Sequence, residues 1–459
     1  MGPDSTAPAL NRRRFLQLAA AGVSIPALAG VSGCGGGGTG ALGGGGSGAG
    51  GEVTELIVPT NQSPWLDAYR TVAAQYEAES GVRITLREFP YDGLRTQMTN
   101  AIQNQNLVFD LFQLDEPWTH QFYDNEWTVP LDEVDAQFSL DPAVLTYDAL
   151  PYWDPQARTS DESGRVMGLP LNGNVHLLIY RRDLYEQLGL PVPRTWEDAV
   201  AAGEAAQQAG IARYGYATRG QASSGGQSIT YDYMPVLYSH GGSWFVAEGS
   251  DWTPAVDSPE ALAATEMYAR LLALGPAEPQ TVGQAEVIAA LQSGEALQAH
   301  VVAAAAAQLE DPAASNVVGK LGYAVLPAGP TGEPAPTSGT WSLCVPRGLP
   351  PERAEASYRF IRWMLDKQQQ MAFGQAGGIA SRSDVLAELG SGEAVYLQAV
   401  ADSMPNVHRA VRYVFSAPML EVTERILSGI GAGATPASDG LAQLQEELTR
   451  VVREAGFLQ

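Results

Sequence analysis

The sequence predicts an α/β protein built on a largely parallel sheet flanked by helices, and three observations carry that expectation. Apolar runs of strand length alternate with stretches in which apolar residues recur at helical spacing. The first of these runs opens a β-α-β-α-β order, which sets strands side by side with helices on the sheet faces. The composition is that of a folded chain: 45% of the 459 residues are hydrophobic and 17% charged. Such a chain can bury a large core and is long enough for about two or three domains.

The elements follow in order. Glu55-Leu56-Ile57-Val58 reads as a short apolar strand. Leu66, Tyr69, Val72, Ala73 and Tyr76 then fall on one helix face, and Gly81 stops that helix. Residues 82–86 form the next strand, 94–105 a helix, and 108–114 a third strand with Asp110 inside it. Ligands of such sheets bind beyond the carboxyl ends of the strands. Two segments stand there, Asn61-Gln62-Ser63-Pro64-Trp65 and Asp115-Glu116-Pro117-Trp118. A second unit begins near Gly168, with a strand over 177–180. Thr195 is placed to cap the following Ala-rich helix, with Asp198 three residues on. Ala354, Tyr358, Ile361 and Leu365 make a helical stripe near the C-terminus, and residues 441–452 make another. Gly429-Ile430-Gly431-Ala432-Gly433 follows a helix rather than a strand, so it reads as helix termination and not as a dinucleotide loop.

Charge and composition exclude several functions. The 27 Lys and Arg against 51 Asp and Glu leave a net charge of −24. A nucleic-acid partner is not expected, because binding would work against phosphate repulsion. The only lysines, Lys320 and Lys367, lie outside any phosphate-loop pattern. The five histidines are scattered without metal-ligand spacing, so neither a metal nor a cofactor is expected. No G-x-S-x-G occurs, which argues against one common hydrolase design.

The first fifty residues read as an address. Arg12-Arg13-Arg14-Phe15-Leu16 resembles a twin-arginine export signal. Val31-Ser32-Gly33-Cys34 resembles a lipobox, where a leader is cut and the cysteine thiol carries a diacylglycerol. Residues 1–33 are therefore expected to be a signal peptide, and 34–51 a lipidated Cys34 with a Gly-rich tether. Two acyl chains anchor a domain stably, and the tether has an r.m.s. reach of about 20–25 Å. The other reading is an uncleaved transmembrane helix over 15–33, which Gly, Pro26 and Ser interrupt. The expected location is extracytoplasmic, held on the cell membrane by lipid. With Cys34 lipidated, Cys344 has no partner and reads as a small buried apolar residue.

A family resemblance rests on an ordered set of segments. Tyr76-Glu77-Ala78-Glu79-Ser80-Gly81-Val82 falls in the first β-α-β unit, and Phe109-Asp110-Leu111-Phe112-Gln113-Leu114-Asp115 ends at a carboxylate. Gly168-Leu169-Pro170-Leu171-Asn172-Gly173-Asn174 runs on to Ile179-Tyr180-Arg181-Arg182-Asp183-Leu184. Pro193-Arg194-Thr195-Trp196-Glu197, Ser293-Gly294-Glu295-Ala296, Gly322-Tyr323-Ala324-Val325-Leu326-Pro327 and Gly339-Thr340-Trp341-Ser342-Leu343 follow. Together, over residues 52–459, they resemble the extracellular solute-binding proteins of the sugar-binding family 1, the receptor components of ABC importers. The resemblance implies a two-lobed periplasmic-binding-protein-like (type II) clamp, with each lobe discontinuous in sequence. The N-terminal lobe is expected over 52–172 plus 327–367, and the C-terminal lobe over 173–326 plus 368–459. It further implies a monomer that captures a mono- or oligosaccharide or a polyol in the interlobe cleft, without turnover, and delivers it to ABC permease subunits. A polyamine or other small solute is the alternative ligand. An exported glycoside hydrolase is a further alternative, and it needs two carboxylates about 5–9 Å apart.

Sugars present C–H faces, which aromatic rings cover, and hydroxyls, which carboxylates and amides bind in fixed directions. Trp65, Trp118, Trp244 and Trp341 fall in loops or beside strand ends, where each is either a cleft residue or core. Trp341 matches a Gly-Trp element that the family uses at the cleft, while Trp127, Trp153, Trp196 and Trp363 read as structural. One of Asp115 and Glu116 is expected to face the cleft, a solvated loop carboxylate being the other reading. Asn61 matches the family's first ligand loop. Asn174 stands where some relatives carry a ligand carboxylate, so hydrogen bonding is kept and charge is dropped. Asn172 is a ligand residue or a turn residue. Tyr231 and Asp232 stand where relatives place contacts, although Asp232 could instead cap the helix. Residues 300–308 are Ala-rich where relatives often carry an aromatic. Tyr413 supplies an aromatic or belongs to the core, and Arg382 reaches a ligand hydroxyl or a surface carboxylate.

Overall fold

Glu55–Asn61 and Arg83–Phe89 pair in parallel across the helix Leu66–Ser80. That helix buries Leu66, Ala68, Tyr69, Val72, Ala73 and Tyr76 on one face. It ends at Gly81, whose φ of 75° glycine adopts without strain and whose N–H donates to the Glu77 carbonyl. In this computed structural model residues 52–392 and 394–459 are described; the export signal, Cys34 and the Gly-rich tether lie outside them. No helix among the described residues is long and apolar enough to cross a membrane.

The third strand is shorter than the apolar run suggests, Phe112–Asp115 instead of 108–114. Asp110 precedes the strand and bonds Ile57 with both backbone and side chain, its N–H donating to the Ile57 carbonyl at 2.8 Å. It accepts the Ile57 N–H at 2.7 Å and is gripped by Arg353 at 2.5 and 2.6 Å.

Strand directions also depart from the expected parallel sheet. Trp341–Pro346 pairs antiparallel with Phe112–Asp115, Gly168–Asn172 and Thr128–Val129. His176–Arg181 lies between Gln298–Val302 and Leu321–Ala324, again antiparallel to both. Among the named strands, Glu55–Asn61 with Arg83–Phe89 is the one parallel pair. The cause is the path of the chain. It runs out through Gly168–Asn172 and His176–Arg181 and comes back through Leu321–Ala324 and Trp341–Pro346. Outgoing and returning strands lie side by side and therefore run in opposite senses.

Thr195 caps Trp196–Gln208 in a full capping box: its Oγ1 accepts from Asp198 N at 3.1 Å and Asp198 Oδ2 accepts from Thr195 N at 3.0 Å. Lys367–Gln375 packs on Leu66–Ser80, and Val395–Ser403 reaches Leu321–Ala324. The helix Ser416–Gly431 ends at Ala432, with Gly433 at φ 69°. Cys344 is buried against the Tyr123 hydroxyl, and burial pushes its thiol up to about 12.

Candidate ligand-binding cleft

A cleft of about 950 Å³ opens between the lobes, and strand ends build its first wall. The turn after Glu55–Asn61 delivers Asn61, Ser63 and Trp65, and Phe112–Asp115 delivers Asp115. Trp341 stands opposite Asp115 on one neighbouring strand and opposite Asn172 on the other. Its ring centroid is 6.0 Å from Trp65, 5.6 Å from Trp118 and 6.1 Å from Tyr91, so an aromatic cluster backs this wall.

Asp115 is buried and accepts from the Tyr91 hydroxyl at 2.6 Å and from Glu116 N at 3.0 Å. Burial raises its pKa to about 7, with the Tyr91 hydrogen bond opposing. Near neutral pH it therefore offers a ligand either an acceptor or a donor. Asn61 Oδ1, Ser63 Oγ and Gln227 Oε1 are buried at the cleft without a hydrogen-bond partner among the described residues.

The second wall comes from Asn174, Arg219, the 221–228 loop, Tyr231 and a row of amides, Gln284, Gln292 and Gln308. Asn174 Oδ1 is taken by Ala304 N at 3.1 Å, which leaves its amide N–H groups for a ligand. Arg219 lies over the Tyr231 ring at 5.1 Å, donates to Gln284 at 2.7 Å and stands 3.2 Å from Asp232. Tyr231 stacks at 4.0 Å on His176. The Ala-rich stretch contributes Val302, Ala307 and Gln308, so this side presents amides where an aromatic would stand.

A family model for bacterial extracellular solute-binding proteins matches residues 35–371. The chain belongs to that family. It is 28% identical to a probable ABC transporter-binding protein of Deinococcus radiodurans, over 57% of this chain and 59% of that relative's length. It is 22% identical to the mannitol-binding protein of Pseudomonas aeruginosa, over 89% of this chain and 95% of that protein. The maltose-bound MalE3 of T. maritima superposes with a TM-score of 0.74 at 22% identity, covering 86% of this chain and 99% of that one. The fold is the two-lobed type II clamp. The family is described as extracellular and solute-binding, and these relatives are described as binding proteins.

In this solute-binding protein the cleft brings together six of the candidate ligand residues, Asn61, Trp65, Asp115, Asn174, Tyr231 and Trp341. The other seven stand elsewhere. Glu116 is not a strand residue but opens the short 3-10 helix Glu116–Trp118 that Asp115 caps. It is fully buried, 3.0 Å from Arg412, and accepts from Ser338 Oγ at 2.8 Å and Ala410 N at 3.2 Å. Asn172 lies in a strand rather than a turn, off the cleft lining, and its Oδ1 accepts from Ile379 N at 2.9 Å. Asp232 is off the cleft lining and is not the helix cap, a position that Ser228 holds. It lies inside the helix Ile229–Ser239, beneath Tyr231, and accepts from Arg219 N at 3.1 Å and Thr218 Oγ1 at 3.2 Å. Burial works to raise its pKa, but Arg219, His300 and His176 outweigh it and hold the carboxyl below the usual range.

Trp118 lines a separate cavity of about 230 Å³ with Arg95 and Ser224. Trp244 is core and donates to the Tyr238 hydroxyl at 2.9 Å. Arg382 is held by Asp141 at 2.7 Å and Asp384 at 3.0 Å. Tyr413 stacks on Phe415 at 5.3 Å and bonds Glu248. The sequence reading missed Tyr91, Arg219, Gln227 and Gln284. Tyr91 carried a usable signal, an aromatic directly after Pro90, which follows the strand end at Phe89 and opens a helix. The others sit on loops and helix starts whose place depends on distant partners.

Proposed function

We propose that this protein captures a neutral sugar or polyol in the cleft and delivers it to the membrane permease of an ABC importer. One observation carries the reading: Tyr91 and Trp341, backed by Trp65, line the cleft beside Asn61 and Gln227, whose Oδ1 and Oε1 have no donor among the described residues. A hydroxyl-rich ligand supplies those donors while its C–H faces cover the rings. The mannitol-binding relative and the maltose-bound structure support the same ligand class. A polyamine fits less well, because Arg219 already occupies the face of Tyr231 where an ammonium would sit. The ligand residues are then Asn61, Trp65, Asp115, Asn174, Tyr231 and Trp341, joined by Tyr91, Gln227 and Gln284. Residues 52–172 with 327–367 form the core of one lobe, extended by the helix packed on Leu66–Ser80, and the remainder forms the other. Lipidation at Cys34 after twin-arginine export holds the monomer at the membrane, and binding proceeds without turnover.

A thermal-shift screen against sugars, polyols and polyamines tests this. A ligand at a hundred times its Kd adds about 2.7 kcal/mol of stability. The expected result is a saturable shift with one sugar or polyol that disappears in Trp341→Ala. A shift with polyamines alone replaces the ligand class, and steady consumption of an aryl glycoside replaces the binding reading with an enzymatic one.

A further inference from the structure

The loop 222–228 reads Ala-Ser-Ser-Gly-Gly-Gln-Ser and belongs to the second lobe, yet its tip lands on the first. Ser223 Oγ donates to Asp92 Oδ1 at 2.7 Å and Ser224 Oγ to Asp92 Oδ2 at 3.3 Å. Gln227 N donates to the Tyr91 hydroxyl at 3.4 Å, and that hydroxyl itself donates to Asp115. The approach is close enough to need glycine. A Cβ on Gly225 would lie 2.8 Å from the Asp92 carbonyl oxygen, and one on Gly226 would lie 2.1 Å from Tyr91 Cε1.

What shapes this loop is a carboxylate from another element. Glu424, on the helix Ser416–Gly431, is 1% exposed and forms no ion pair among the described residues. Its oxygens accept from Ser223 N at 2.7 Å, Ser228 N at 2.7 Å and Thr230 N at 3.0 Å. A buried acid with only backbone donors is costly to keep, and here it fixes both ends of the loop that bridges the lobes. We propose that the 222–228 loop is a latch between the lobes, that Asp92 is its catch, and that Glu424 is the positioning residue that holds the loop in its landing conformation. The proposal rests on the cleft reading only in that the lobes open and close around a ligand. It assigns part of the closing free energy to contacts that no ligand makes, so a closed population exists without ligand.

The test uses the full-length chain with no ligand present. Small-angle scattering reads lobe separation, and amide exchange reads the loop. Asp92→Ala and Gly226→Ala are expected to raise the radius of gyration. Glu424→Gln, which turns an amide N–H₂ toward backbone donors, is expected to do the same and to speed exchange across residues 223–230 on the order of tenfold. Asp92→Ala combined with Glu424→Gln opens the protein no further than either change alone. Glu424→Gln lowers stability as well, so Asp92→Ala, at an exposed position, is the deciding variant: an unchanged scattering curve overturns the latch whatever Glu424→Gln does. Because no sugar enters the measurement, its failure leaves the ligand assignment standing, and an empty ligand screen leaves the latch standing.

Discussion

Asp115 and Glu116 are adjacent acids with opposite fates, and they show what one residue of register decides. Asp115 faces the cleft with Tyr91 on its carboxylate, while Glu116 faces inward onto Arg412. Their substitutions should therefore differ in kind. Glu116→Gln leaves the buried Arg412 without its nearest counter-charge, only Asp148 remaining at 4.0 Å, and is expected to lower stability by about 3–5 kcal/mol, read by urea denaturation. Asp115→Asn keeps the shape and is expected to weaken ligand binding roughly tenfold through a lost charge-assisted hydrogen bond, read by calorimetry. Equal stability losses in the two variants would contradict the assignment. The sequence placed both acids at a strand end but could not separate them, since the strand's last residue was uncertain by one position. The same limit applies to Asn172 and Asn174, of which one holds Ile379 N and the other reaches the cleft. Arg219 and Asp232 illustrate a different limit. Thirteen positions apart and on different elements, they form an ion pair that no local pattern announces.

At the scale of elements, local chemistry was legible and strand direction was not. The first β-α-β unit, its Gly81 stop and the Thr195 capping box are written in short stretches of sequence, and the structure holds them. Thr195→Ala removes the acceptor of Asp198 N and should cost about 1 kcal/mol. A fall in the urea midpoint with ligand affinity unchanged is the expected signature, because the box lies outside the cleft. An affinity loss there would mean that Trp196–Gln208 couples to the cleft. Direction, in contrast, is set by partners far apart: Trp341 pairs with Asp115 and Asn172, more than 150 positions away. Neither half of such a ladder carries the other's orientation, so an alternating pattern suggested parallel strands where return strands produce antiparallel ones. Resemblance to a clamp supplied the two lobes, while the packing of Lys367–Gln375 on Leu66–Ser80 joins partners about 300 positions apart that no local pattern announces.

The whole molecule buries charge on both sides of neutrality, and this makes its pH response a sum of opposing parts. Burial lowers the pKa of all five histidines, His176 to about 4 despite the Asp232 hydrogen bond. Those groups withdraw stability as pH falls below about 6.5, because the unfolded chain takes up protons that the folded one refuses. Asp115 and Glu424 act the other way, since burial raises each to about 7. Their unfolded values lie near 4. Their stabilising contribution is therefore complete below about pH 4 and is lost as pH rises through 7. In the wild type the two sets offset each other between pH 4 and 6.5, which flattens the acid limb. Asp115→Asn combined with Glu424→Gln removes one set and leaves the histidines. The double variant should then lose more stability than the wild type as pH falls from 7 to 4, by on the order of 1–4 kcal/mol for each acid removed. Urea melts at pH 5 and pH 8 measure this directly. A wild-type-minus-variant difference that stays constant across the two would mean that neither carboxyl titrates in this window, and Asp115 would then meet its ligand as a plain carboxylate acceptor.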